Sequence, residues 1–289
     1  MKKGCALVLV LLLCGCTGKK ALQGSGAVEA PGSLAGFSGD APASSAAGGE
    51  QRQAQFRRQE VQRLAPTLAA AEIPPETARN IRDNAAAFLA ELEKILNNND
   101  PYLRILVDKG HPLPEDYEPE DLIELRYQSY RAGISDVMML RAKAEAALEE
   151  MAGAAKKAGL TLTVSSAYRS YQYQIGSFDR WTKRLGLEEA ERVSARPGRS
   201  QHQLGLVVDF GSITNEFAET AQGRWVKANA SRFGWSLSFP RGYEELTGYA
   251  WESWHYRYVG QELCSFIDTW FGGIQQHALR FIHEWEKAP

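Results

Sequence analysis

The sequence predicts a mixed α+β chain on three observations. Apolar residues recur at helical spacing near both ends. Between them lie apolar runs of strand length, at 160–164, 206–208 and 235–239. Polar residues gather where those runs stop, which is where a rigid scaffold commonly presents functional groups.

The elements follow in chain order. Met1-Lys2-Lys3 and the apolar run 6–13 have the charged start and short greasy centre of an export signal, too short to span a bilayer. The run ends in Leu13-Cys14-Gly15-Cys16, which resembles the lipobox of bacterial lipoproteins and makes Cys16 the expected lipidated residue. Cys14 departs from the small Ala, Ser or Thr usual there. Residues 17–50 are dominated by Gly, Ala, Ser and Pro. With few large apolar groups to bury, they are expected to form a flexible tether.

From Gln51, Phe56, Val61, Leu64 and Leu68 mark a helical face. Pro74 and Pro75 interrupt it, and Pro75 suits the first turn of a second helix over about 76–96, striped with Ile81, Ala85, Phe88, Leu92 and Ile95. Residues 51–98 are expected to form a helical hairpin, or an extension packed on the main domain of residues 99–289. A Pro-punctuated segment, 106–117, carries His111 into that domain. An alanine-rich helix over 138–158, with Met139, Ala146 and Leu148 buried, leads through Gly159 to the strand 160–164.

A helix holding Gln174 and Phe178 comes next. Another is expected around 225–232, and a strand over 235–239. Amphipathic helices with Phe266, Ile267, Trp270, Leu279 and Phe281 end the chain, with His277 and His283 expected at the surface. Of the four cysteines, Cys5, Cys14 and Cys16 fall in the leader, so Cys264 is the one thiol of the body, expected buried and without a disulfide. A net charge of −2 gives no basis for a nucleic-acid groove. A monomer is expected.

Two stretches concentrate metal-ligand chemistry: S-Q-H-Q-L-G-L-V-V-D-F at 200–210 and W-E-S-W-H-Y-R-Y at 251–258. They hold His202, Asp209, Glu252 and His255. Two His and one Asp can supply the three ligands of a catalytic zinc site, leaving a carboxylate over. A straight strand would separate His202 from Asp209 by roughly 23 Å and a helix by about 10 Å, so the chain must bend between them. Gly205 is suited to that bend. Glu252 and His255, three apart, would point to opposite faces of a flat strand, so a second bend is required at Ser253 and Trp254.

In order, P-L-P-E-D-Y at 112–117, S-A-Y-R-S at 166–170, Gln174, the 200–209 motif and T-G-Y-A-W-E-S-W-H-Y-R-Y-V-G at 247–260 resemble the VanY-type family of zinc D-alanyl-D-alanine carboxypeptidases. The resemblance covers roughly residues 100–275. It implies a small antiparallel sheet flanked by helices, with zinc held by His202, Asp209 and His255. It makes Glu252 the general base to a water activated by zinc. Arg169 becomes the counter-charge for a substrate carboxylate or an oxyanion, with Arg199 and Arg257 as alternatives. Ser200, Gln174, Tyr168 and Trp254 become substrate contacts, with Trp251 and Trp254 as pocket wall and Tyr256 and Tyr258 as core. The implied substrate is a peptidoglycan stem peptide, and with the lipobox the protein is expected to be exported and anchored as a lipoprotein at the periplasmic or cell-envelope face of a bacterial membrane.

Ala167 replaces the glycine usual before the Tyr-Arg pair. Ser253 replaces the proline usual after the glutamate. Ser236-Leu237-Ser238-Phe239-Pro240 replaces a commoner Arg-Tyr-Pro ending. These departures bear on pocket shape; the activity the resemblance implies is removal of a C-terminal D-alanine by a D,D-carboxypeptidase, with L,D-carboxypeptidase or endopeptidase action on the same stems as the alternative. A noncatalytic wall-binding lipoprotein that keeps the pocket for recognition is the alternative of a different class.

Overall fold

Proline and asparagine divide the N-terminal helices. The structure, a computed structural model, describes residues 44–125 and 137–287. Cys16 and most of the expected tether lie outside these residues, as does the side chain of Phe56. Helix α1, Ser44–Ala70, begins inside the stretch expected to be tether. Pro75, with φ preset for a first turn, opens α2, Pro75–Asp83.

The helix expected over 76–96 is two, because α2 stops at Asn84 and α3 runs Ala85–Leu96. Asn84 Nδ2 donates to the Asn80 carbonyl at 2.9 Å, drawing a side-chain amide into the helix's own hydrogen-bond ladder. Both apolar stripes still face one core. Phe88 is fully buried, 5.1 Å from the ring of Phe266, 5.3 Å from Trp270 and 5.1 Å from Phe281. The N-terminal helices therefore share a core with α9, Gln261–Phe271, and α10, Gln275–Lys287. Val61 is 48% exposed and lies outside that stripe. Gly48–Pro289 forms one compact unit.

A second core lies under the sheets. Strands β1, Leu122–Glu124, and β2, Met139–Arg141, pair antiparallel. The helix expected from 138 therefore starts later, as α4, Ala142–Lys157, because a strand partner claims residues 139–141. Leu148 is buried as expected, Met139 only half so, and Ala146 is exposed. The strand expected over 160–164 is displaced to β3, Val164–Ser166, since its partner across the sheet reaches only residues 164–166.

Helices α5, Tyr171–Leu185, and α6, Leu187–Val193, follow. Next come β4, Val207–Phe210; α7, Ala221–Asn229; β5, Trp235–Leu237; α8, Glu244–Thr247; and β6, His255–Tyr258. The main sheet is antiparallel in the order β3-β4-β6-β5.

Period-two alternation sorts its residues. Val208, Phe210, Tyr256 and Trp235 enter the second core, while Val207, Asp209, His255 and Arg257 take the opposite face. Cys264 is buried, as expected. His277 is buried too, against expectation: α10 is covered along most of its length, from Gln275 to Trp285.

Candidate metal centre

Sheet register does half of the assembly. Asp209 and His255 are direct cross-strand partners on one face of β4 and β6. The other half comes from the bend. Residues Gln201–Leu204 form a single 3-10 turn capped by Ser200, whose Oγ accepts from the His202 N–H. Gly205 ends that turn in the left-handed conformation, φ 67°, and the chain reverses into β4. His202 Nε2 then lies 3.3 Å from Asp209 Oδ2. A turn at Ser253 and Trp254 precedes β6, setting Glu252 Oε2 3.2 Å from His255 Nδ1, which is itself 3.2 Å from Asp209 Oδ1. Both bends required by the sequence are present.

The donor set fits a zinc ion. One ligand atom from each of His202, Asp209 and His255 lies within 4.8 Å of the others, and all three side chains are buried. Ligand bonds of ~2.0–2.1 Å in a tetrahedron place neighbouring donors about 3.3 Å apart, close to the 3.3 and 3.2 Å that separate His202 Nε2 and His255 Nδ1 from the Asp209 carboxylate. The ring orientations agree. His202 Nδ1 lies 2.6 Å from the Ala167 carbonyl, so it carries the proton and leaves the Nε2 lone pair toward the centre. His255 turns Nδ1 to the centre, and its Nε2 meets Gln201 Oε1 at 3.4 Å. Asp209 Oδ1 is buried without a hydrogen bond, an orphan acceptor that a cation would satisfy.

Charges at the site are strongly perturbed. Burial, with help from the Arg169 charge, lowers the His202 pKa to about 4, which keeps its lone pair free at neutral pH. Burial opposes charge on His255, but Asp209 and Glu252 outweigh it and raise that pKa to about 9. Burial works against an ionised Asp209 as well, and its histidine and Arg169 neighbours hold it well below the ordinary range. In Glu252 burial prevails and raises the pKa.

The trio lies in the wall of a cavity of about 460 Å³. Arg169, Ser200 and Trp254 line it as the sequence suggested, with Trp251 and Arg199 beside them. Arg169 is held by Ser166 Oγ at 2.9 Å and donates to Asp209 Oδ2 at 2.7 Å. Gln174 and Tyr168 do not reach the cavity wall. Gln174 is buried behind it, donating to the Ala195 carbonyl at 2.7 Å, and the Tyr168 N–H is tied to the Met139 carbonyl.

Arg257 is fully buried elsewhere on the sheet face, where it donates to the Leu103 and Ile105 carbonyls; it is not a substrate contact. His111 pairs with Asp108 away from the centre. Sequence reasoning missed Gln201 and Asn215, both on the cavity wall. Gln201 adjoins a named ligand, a signal that could have found it; Asn215 offered none.

The chain is similar to known proteins in sequence and in structure. The family model described as VanY, D-alanyl-D-alanine carboxypeptidase, matches residues 137–261, a span holding all four site residues. YodJ of Bacillus subtilis (strain 168) is 38% identical over 184 residues, which are 61% of this chain and 66% of YodJ, just under two thirds of its length. The solved structure of the LdcB LD-carboxypeptidase is similar at TM-score 0.55 and 33% identity, over 66% of this chain and 89% of that one. A mutant of the vancomycin resistance D,D-pentapeptidase VanY, solved in complex with Zn(II), is similar at TM-score 0.51 and 30% identity, over 62% of this chain and 99% of that one. Since these likenesses take in nearly the whole of two solved relatives, and the matched span carries the buried trio with its adjoining carboxylate, the chain belongs to the VanY family of D-alanyl-D-alanine carboxypeptidases.

Proposed function

We propose that this protein is a zinc metallopeptidase that removes the C-terminal D-alanine from peptidoglycan stem peptides. One observation carries the reading: Glu252 stands 3.2 Å from a metal-facing histidine nitrogen yet outside the donor trio, where a general base belongs. His202, Asp209 and His255 would hold the zinc, which when bound supplies a Lewis acid able to polarise a peptide carbonyl and acidify water.

The chain's own groups do the rest. Glu252, its basicity raised by burial, accepts a proton from the attacking water at a carboxylate oxygen and returns it to the departing amine. Arg169, fixed by Ser166 and Asp209, offers a permanent charge within the same cavity to a substrate carboxylate or to a developing oxyanion. Ser200 and Trp254 shape the wall beside it.

A second reading, L,D-carboxypeptidase, is favoured by the 33% identity to LdcB, an LD-carboxypeptidase. Endopeptidase action on the same stems would use the same groups. A recognition protein without turnover is disfavoured by the retained Glu252.

Mass spectrometry of products from defined tetrapeptide and pentapeptide stems, with and without chelator, separates these. Loss of one alanine from the pentapeptide alone, abolished by chelator, is the expected result. Cleavage of tetrapeptide to tripeptide selects the L,D reading, and turnover insensitive to chelator contradicts the zinc mechanism. The membrane-anchored placement is supported by the lipobox pattern ending at Cys16. The intact mass of the membrane-extracted protein checks it: a lipid-bearing N-terminal Cys16 is expected, and an unmodified cleaved chain would contradict it.

A further inference from the structure

Glu252 sits in a loop just before β6, and nothing in a loop alone holds a carboxylate in one place. Two peptide units flank it. Between them they present four polar backbone groups: the Trp251 carbonyl, the Glu252 N–H, the Glu252 carbonyl and the Ser253 N–H. All four are bonded. The Glu252 N–H donates to the Phe239 carbonyl at 3.0 Å, and the Glu252 carbonyl accepts from the His255 N–H at 3.4 Å. The remaining two go to one side chain. Asn215 Nδ2 donates to the Trp251 carbonyl at 2.9 Å, and its Oδ1 accepts from the Ser253 N–H at 3.0 Å.

We infer that Asn215 is the positioning residue of the general base, a planar clamp that fixes both peptide planes around Glu252. The orientation of its amide is determined by its partners. Turned over, it would set oxygen against the Trp251 carbonyl and NH₂ against the Ser253 N–H, losing both bonds. Its two ends span the residue that carries the base, so rotation about the Glu252 backbone requires one bond or the other to break. Ser253 matters for the same reason. A proline at 253 would have no N–H to give and would limit the backbone by its ring instead. In this chain the hydrogen bond from the Ser253 N–H to Asn215 Oδ1 supplies the restraint.

Asn215 is half-buried at the start of a 3-10 turn, Asn215–Glu219, on the cavity wall. Phe217 anchors that turn; it is buried in the second core, with its ring stacked on Phe210 of β4. The clamp is thereby tied to the strand that carries Asp209. The base and a metal ligand are referenced to one rigid element.

This inference rests on Glu252 acting as the base, and a double-mutant cycle tests the two ideas separately. The zinc-loaded protein is assayed on pentapeptide as wild type, Asn215→Ala, Glu252→Asp and the double variant, with zinc per chain and Tm recorded. Asn215→Ala is expected to lower kcat about 10- to 100-fold with KM and zinc content near wild type, since small misplacements of a reacting group carry losses of that size. In the Glu252→Asp background, where the carboxylate is already withdrawn, the same change is expected to cost less than about twofold.

An equal loss in both backgrounds, or a loss that follows zinc content, overturns the inference while leaving the base intact. Full kcat in Glu252→Gln overturns the base reading and the inference with it. If Asn215→Ala does not fold, the cycle is run with Asn215→Asp. That variant keeps an acceptor for the Ser253 N–H but no donor for Trp251, and the same two outcomes apply.

Discussion

Gly205 shows how much a single backbone conformation carries. Its φ of 67° turns the chain between His202 and Asp209, and a Cβ there would sit 2.8 Å from Leu122 Cδ2 and 3.3 Å from Arg141 Cγ. Gly205→Ala is expected to destabilise the protein by more than about 1 kcal/mol and to weaken zinc binding, read by thermal melting and by zinc titration. Unchanged zinc affinity would mean that the bend is not what sets the ligand spacing.

At this scale the sequence was readable where covalent geometry left little freedom. Two ligands seven residues apart demanded a bend, and a single glycine lay between them. Asn215 was not readable, because it acts through amide hydrogen bonds to residues 36 and 38 positions away and belongs to no local pattern. Gln174 and Tyr168 misled for a related reason. Proximity to Arg169 in the chain does not decide which side chains reach the cavity, and Gln174 instead braces the Ala195 carbonyl behind it.

At the scale of elements, helices were located well and their ends poorly. The stripe of Ile81, Phe88, Leu92 and Ile95 gave the existence and buried face of α2 and α3. Their break falls at Asn84, whose side-chain amide bonds back to Asn80, a detail that periodicity does not register. Strand β2 was missed because its residues are acceptable in a helix, and a distant partner, β1, decides the matter.

The same apolar stripes join the N-terminal helices to α9 and α10. Phe88 packs against four other aromatic rings of that core, those of Phe266, Trp270, Phe271 and Phe281. Phe88→Ala is expected to cost about 3–5 kcal/mol. Denaturant unfolding should show that loss, while kcat measured where the variant is folded should stay within about twofold, since Phe88 is remote from the cavity wall. A large fall in kcat without loss of stability would contradict this division.

The whole molecule is organised by a four-stranded sheet whose faces have separate tasks. One face packs into the core through Val208, Phe210, Tyr256 and Trp235. The other holds Asp209 and His255 side by side, and the bend at Gly205 adds His202. The class of fold and the candidate metal trio were legible because alternation, strand length and two motifs converge on them. The arrangement of the cavity wall was not, since α5, the turn at Asn215 and the segment 193–195 meet there from distant parts of the chain.

In the proposed mechanism a buried His-Asp-His trio holds zinc while Glu252, beside it but not of it, moves the proton. Glu252→Gln tests this most directly, with kcat on pentapeptide and zinc per chain measured on the same preparation. A fall in kcat of about 10²–10⁴-fold with zinc retained is expected; activity within about twofold of wild type would rule out Glu252 as the base.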